Sequence, residues 1–214
     1  MNVDELLRLY ATGERNFSSV YLHEVYLYEA ELIGANFYEA DLIGANLSKA
    51  KLNRANLSKA NLSKINLSRA DLGGADLTEA FLLESYLHQA DLINTNLSKA
   101  DLSGANLTQA NFVGANLSRS TLCNADLHGT NLYGVNLRRA ILTHADLIGA
   151  NLSSVDLSGA DLMAASLIRA DLTNAILSAA DLSGANLLGA NLTGVSLTGV
   201  FLKGATMPDG TIHD

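Results

Sequence analysis

DLINTNLSKADLSGANLTQA, residues 91–110, is one five-residue unit written four times: Asn or Asp, then Leu, two variable positions and a small residue. The same leucine recurs at every fifth position from Leu22 to Leu202, with only Phe37 and Phe112 standing in for it. A fixed internal period decides the architecture before any local propensity does. Five is neither helical nor strand-like. On an α-helix, positions five apart are rotated by roughly 140°, so the leucines would wind around every side. On a straight strand an odd spacing sends them to alternate faces. They share one core only if the chain turns after each unit. Within a unit the small residue and the leucine are two apart, so a short extended piece points both inward and the Asn or Asp outward. The remaining two residues form the corner.

Corner chemistry agrees. The second corner position is often glycine, as at Gly34, Gly44, Gly104 and Gly184, and glycine accepts the positive φ of a type II turn. Asn and Asp side chains bond nearby backbone at turns. Proline is absent from the repeats, as expected where nearly every N–H is needed for stacking. A chain that turns at each unit becomes a coil, and coils stacked at about 4.8 Å make a solenoid.

The Ala-(Asn/Asp)-Leu-X-X array, as in Ala45-Asn46-Leu47-Ser48-Lys49, resembles the pentapeptide repeat family from about Phe17 to Met207. The resemblance implies an all-β solenoid, a right-handed quadrilateral β-helix with four units and twenty residues per coil, hence about nine to ten coils. Two columns support a period of twenty independently. Tyr21, Phe81, Ile141 and Phe201 replace the polar outward residue at multiples of twenty, and Ser58, Thr78, Ser98, Ser118, Arg138, Ser158, Ser178 and Thr198 form one corner column. At the strand spacing the rod should be about 45 Å long.

Three segments follow: an N-terminal helical cap over 1–15, the repeat β-helix over 16–207 and a C-terminal tail over 208–214. Asn2 followed by Glu5 matches a capping box, and Val3, Leu6, Leu7 and Tyr10 fall on one helical face, with Gly13 placed to stop the helix. This short capping α-helix should cover the first coil, with Phe17 and Phe37 stacked beneath it. Tyr21, Tyr26 and Tyr28 are expected to pack against the helix. Pro208-Asp209-Gly210 reads as a turn after the last repeat. The opening residues lack the apolar stretch of a signal peptide, no membrane-spanning run exists, and the single Cys123 has no partner, so a cytoplasmic setting is expected.

Outward residues become neighbours only when twenty apart or at a shared corner, which is a strict test for any site. The five histidines fail it: His88 and His128 share a column but lie two coils apart, and His23, His144 and His213 have no histidine or cysteine beside them. No metal, cofactor or catalytic residue is expected. Asp71 over Asp91, Asp126 over Asp146 and Asp161 over Asp181 stack carboxylates, but on a convex surface, where acid–base catalysis lacks its cleft. The expectation is no enzyme.

The formal net charge of −8 disfavours direct nucleic-acid binding. Some members of the resembling family imitate DNA and act on DNA gyrase, which is the alternative reading. The charge pattern opposes it: Glu24, Glu29, Glu31, Glu39 and Asp41 form an acidic zone, followed by a basic belt of Lys49, Lys51, Arg54, Lys59, Lys64 and Arg69. A mimic should present continuous negative rows. Outward apolar residues point instead to a protein partner or a second copy. Ile148, Ile168 and Leu188 should line up on consecutive coils, and Phe81, Leu83 and Tyr86 should cluster on another. The sequence therefore reads as a protein-binding or scaffold solenoid, with a homodimer as one form of partner. Its N-terminal opening and uninterrupted array are similar to those of cyanobacterial members of the family.

Overall fold

The computed structural model describes all residues, 1–214. One helix, α1 (Val3–Ala11), precedes a square coil that continues to the C-terminal region. Outward residues make parallel bridges to the residue twenty positions on, from Asn16↔Asn36 through Asn186↔Thr206, with Ile176 to Ser196 the one step left unbridged. Four such ladders, five residues apart in sequence, form the four sides. Residues 16–207 at twenty per coil make nine complete coils and part of a tenth. Each side bridges through one residue before the corner intervenes, so no continuous strand develops.

Where the outward residue is Asn, every N–H of a unit can have a defined partner. In the unit from Asn46, the Asn46 N–H donates to the Val25 carbonyl on the preceding coil at 2.8 Å. Leu47 and Lys49 donate forward, to Asn66 at 2.8 Å and Ser68 at 2.9 Å. Ala50 closes the corner on Leu47 at 3.0 Å. The fifth N–H, of Ser48, is taken by the Asn46 side chain at 3.0 Å. Buried and half-buried backbone must be paired, and this accounts for the Asn or Asp at the outward position: its side chain supplies the acceptor that neither neighbouring coil provides.

The second corner residue has positive φ at every unit from Ser19 to Gly204, while the first does not, which is the sign pattern of a type II turn. Glycine is not required for it. Non-glycine residues hold φ between 52° and 60° in the majority of corners, Lys49, Arg54 and Ala164 among them. That region costs an L-residue roughly 1–2 kcal/mol, so the stacking of neighbouring coils imposes the corner on whatever residue occupies it.

The interior is built mainly of leucine and alanine and is essentially inaccessible from Leu32 to Leu187, while Val20, Val25 and Ala30 of the first coil are half-buried. Four polar residues replace the alanine inside: Ser85, Thr95, Ser120 and Thr130. Each hydroxyl donates to the leucine carbonyl three residues back, as Ser120 does to Leu117 at 2.7 Å and Thr130 to Leu127 at 2.7 Å. The cost of burying them is thereby met without a polar partner elsewhere in the core.

The two ends differ. At the N-terminus the Asn2 side chain accepts from the Glu5 N–H at 2.9 Å, and Leu6 is wholly buried on the first coil. Val3, Leu9 and Tyr10 pack around it, whereas Leu7 is 37% exposed, so Leu9 takes the place the helical spacing gave to Leu7. Tyr21, Tyr26 and Tyr28 do not pack on α1, contrary to expectation: they are 75%, 65% and 38% exposed. They occupy outward positions, whereas α1 seats Leu6, with Val3, Leu9 and Tyr10, on the core. At the other end Pro208-Asp209-Gly210 does turn, and Thr206 pairs antiparallel with Ile212. The tail covers only that side. Leu192, Val195, Leu197 and Val200 at the last coil are half-buried.

Candidate functional site

The largest departures from the repeat collect along one edge of the rod. Two ladders meet there. One runs Tyr21, Asp41, Asn61, Phe81 and the next Tyr26, Asn46, Asn66, Tyr86. Aromatic residues therefore stand on both sides of the edge at one coil, and again three coils later, roughly 14 Å along the axis at strand spacing. Phe81 and Tyr86 are 51% and 53% exposed, and Leu83 at the corner between them 38%. The two intervening coils carry only short polar side chains on these ladders, which leaves a shallow depression of about 350 Å³ between Tyr21 and Phe81, floored by Asp41 and Asn61. Phe81 also carries no side-chain acceptor for the Leu83 N–H, a role that Asn61 performs for Ser63 at 3.3 Å on the preceding coil. The apolar substitution gives up a local hydrogen bond.

Charge near this edge is organised by pairs. His23 Nε2 lies 2.7 Å from Asp41 Oδ2. The Tyr26 and Tyr28 rings stack at 5.9 Å, and Lys49 Nζ reaches the Tyr28 hydroxyl at 2.5 Å and Glu29 at 3.1 Å. The Tyr28 hydroxyl, and then Lys49, hold the Glu29 carboxyl below its usual range; the same hydroxyl, and then Glu29, raise the Lys49 ammonium. Lys51–Glu31, Lys59–Glu39 and Lys64–Glu84 pair in the same manner, from one coil to the next. The acidic zone and the basic belt read from the sequence are thus mutually compensating layers.

Ile148, Ile168 and Leu188 occupy one corner column, held in register by Gly129, Gly149 and Arg169 donating to their carbonyls at 2.9–3.0 Å. Leu188 is 46% exposed, and the two isoleucines are half-buried. This stripe and the Phe81-Leu83-Tyr86 cluster are separate surfaces. Other exposed apolar residues were not singled out by sequence reasoning: Ile33, Tyr133 and Ile176 at 44%, 51% and 50%. Reading every column at a period of twenty would have found them. Gly73 also opens a depression of about 500 Å³ between Ile33 and Ile93, bordered by Arg54, Asp71 and Asp91. No three His, Cys, Asp or Glu side chains converge as a metal site would need, and no helix is long and apolar enough to cross a membrane.

The stacked carboxylates are part of the turns. Asp71 Oδ1 accepts from the Gly73 N–H at 3.1 Å, and Asp91, Asp126, Asp146, Asp161 and Asp181 accept in the same way at 2.9–3.0 Å. Their occurrence on consecutive coils follows from the repeat.

Known proteins sharpen this picture. The family model described as pentapeptide repeats matches in overlapping segments from residue 16 to residue 208. The chain is similar to HetL, a pentapeptide repeat protein involved in heterocyst differentiation regulation from the cyanobacterium Nostoc sp. strain PCC 7120. The two share 43% identity over 100% of both chains, with a TM-score of 0.86. It also matches trypsin-treated QnrB1, a plasmid-mediated fluoroquinolone resistance protein, at 18% identity over 84% of this chain and 90% of that one, TM-score 0.58. At that identity the likeness is one of fold alone. No curated protein sequence matches significantly. These structural relatives imply a right-handed quadrilateral β-helix, and the chain belongs to the pentapeptide repeat family.

Proposed function

We propose that this rod is a non-enzymatic binding surface for another protein, serving a regulatory role in the manner of HetL, with the aromatic edge as its docking site. The carrying observation is the pair of exposed aromatic clusters, Tyr21 with Tyr26 and Phe81 with Leu83 and Tyr86, at a separation of three coils on one edge. Aromatic residues supply large contact area and dominate the energetics of protein interfaces. The polar coils between them would register the partner. Full-length similarity to HetL, whose described role is regulatory, supports the reading.

The test is affinity capture from the lysate of the source cell, with the immobilised protein compared with a Phe81→Ser, Leu83→Ser, Tyr86→Ser triple variant. A partner retained by the unaltered rod and lost by the variant supports the reading. Equal retention by both would overturn the placement of the site.

The Ile148-Ile168-Leu188 stripe supports a second reading, self-association, because it is continuous over three coils. Light scattering decides it: a monomer at tens of micromolar, unchanged by Ile168→Glu, ends the homodimer. The gyrase-directed mimic draws less support, since pairs such as Lys99–Glu79 interrupt the rows of negative charge that DNA presents. A supercoiling assay with gyrase tests it directly.

A further inference from the structure

The column of second corner residues that begins at Ser19 reads Glu39, Lys59, Glu79, Lys99, Arg119, Arg139, Gly159. Charges alternate for four coils, from Glu39 to Lys99, and two further cations, Arg119 and Arg139, follow in succession. The alternating part is neutralised from coil to coil: Lys59 lies 3.9 Å from Glu39, and Lys99 reaches back to Glu79 at 2.7 Å. Arg119 and Arg139 are left, one coil apart, and neither guanidinium makes an ion pair or side-chain hydrogen bond within the rod. The Arg139 Cγ lies over Gly159 on the following coil, and Arg119 stands one coil before Arg139 and lines the same pocket. Two like charges stacked in this way disfavour each other unless an anion lies between them.

A third arginine faces the same place. Arg138 interrupts a corner column that carries serine on the two coils before it, Ser98 and Ser118, and the two after it, Ser158 and Ser178. Arg119, Arg138 and Arg139, with Ser118 and Asn136, enclose a surface pocket of about 380 Å³ that no carboxylate lines. Arg138 donates one N–H to Asp156 Oδ2 at 3.0 Å, which leaves its other donors free. The Asn136 amide is committed to Asn116 at 3.1 Å. The Ser118 hydroxyl, by contrast, makes none of the bonds that Ser158 makes to Asp156 at 2.6 Å. The free donors are therefore two whole guanidinium groups, part of a third and a hydroxyl, in a protein whose net charge is −8.

We propose that the Arg119-Arg138-Arg139 pocket binds the phosphate groups of a small polyphosphate ligand. The planar fork of arginine matches phosphate oxygens in pairs. Two uncompensated cations call for a group carrying about two negative charges over several oxygens, which a phosphoryl group supplies and a single carboxylate does not. Because the arginines are stacked along the rod axis, a chain of phosphates laid along the column meets Arg139 and Arg119 in succession. Inorganic polyphosphate and the phosphate tail of a nucleotide share this chemistry.

Calorimetric titration of the whole protein with tripolyphosphate and, separately, with ATP tests the assignment. Saturable binding is expected for both, weakened about tenfold or more by Arg119→Ala and by Arg139→Ala, since each removes charge-assisted hydrogen bonds. Arg169→Ala, which removes an isolated arginine on another column, should leave affinity unchanged. ATP binding more tightly than tripolyphosphate identifies the nucleotide as the source; equal affinity identifies the phosphates alone. Absence of saturation by either ligand at low salt overturns the proposal, as does an equal loss in the Arg169→Ala variant, which would mark the interaction as general surface charge. Unchanged melting temperatures for the three variants keep a loss of binding separate from a loss of fold.

Discussion

The Phe17 and Phe37 rings stack at 5.6 Å between centroids and 26° between planes, one coil apart, under a helix whose Leu6 is wholly buried. The first coil has no coil before it, and this aromatic step with α1 replaces the missing neighbour. Leu6→Ala should therefore lower stability by about 2–5 kcal/mol, the cost of emptying a buried leucine site. Leu7→Ala, one residue on and 37% exposed, should change it by no more than about 0.5 kcal/mol. Denaturant midpoints of the two variants check the orientation of the helix. Equal losses would mean that α1 docks by a different face.

Corners make a second expectation. Ala164 holds φ at 54° with its side chain exposed, so it bears the strain of the left-handed region and contributes little packing in return. Ala164→Gly should raise stability by about 0.5–1 kcal/mol, the relief of strain exceeding the extra entropy of glycine. A lower melting temperature would show that the unfolded-chain entropy dominates at these corners.

These corners also mark where the sequence could and could not be read. The inward leucine, the outward Asn or Asp and the twenty-residue coil were legible because each follows from period and polarity. That lysine, arginine and glutamate would sit at positive φ as regularly as glycine was not, since local propensity opposes it and only the stacked ladder enforces it. The exposure of Phe81, Leu83 and Tyr86 was legible as a departure from pattern. The Tyr21-Tyr26-Tyr28 group was misjudged because sequence spacing places residues on a coil but does not say where a helix outside the repeat comes to rest. The arginine pocket was half legible: the Lys99-Arg119-Arg139 column is visible in the sequence, but which cation turns to which carboxylate is set by how side chains lean along the rod.

The inward–outward assignment predicts a sharp contrast between neighbours. Leu107 is inaccessible, and Leu107→Asp should bury an unpaired charge in a narrow core and divide the stack. An adjacent control is unsuitable, because the Thr108 hydroxyl bonds to Asn106 at 2.7 Å and lies 2.7 Å from His88 Nδ1. Thr143 is the better comparison: it stands at the same corner position and its side chain makes no hydrogen bond. Thr143→Asp should melt within a few degrees of the unaltered protein, while Leu107→Asp should show lost ellipticity or aggregation. If both variants melt alike, the faces have been assigned wrongly.

Acid should weaken the rod through its turns. Chiefly the Thr173 hydroxyl, and then the Thr173 N–H, hold the Asp171 carboxyl below the usual aspartate value, against a smaller opposing effect of burial. At Asp156 burial is the largest influence and pushes upward, but bonds from Ser158 and Arg138 together outweigh it, so this carboxyl is also lowered. A carboxyl lowered on folding binds fewer protons in the folded state than in the unfolded one. Its contribution is complete above the unfolded value and is lost as pH falls through the folded one. The melting temperature should accordingly stay flat from about pH 8 to pH 5 and drop below about pH 4. Asp171→Asn retains a side-chain oxygen for the Thr173 N–H but cannot titrate, so the variant should lose less than the unaltered protein on acidification. The gap between the two melting curves should shift in favour of the variant as pH falls from about 5 to about 2.5. A constant gap across that range would show that the turn aspartates carry no pH-linked stability.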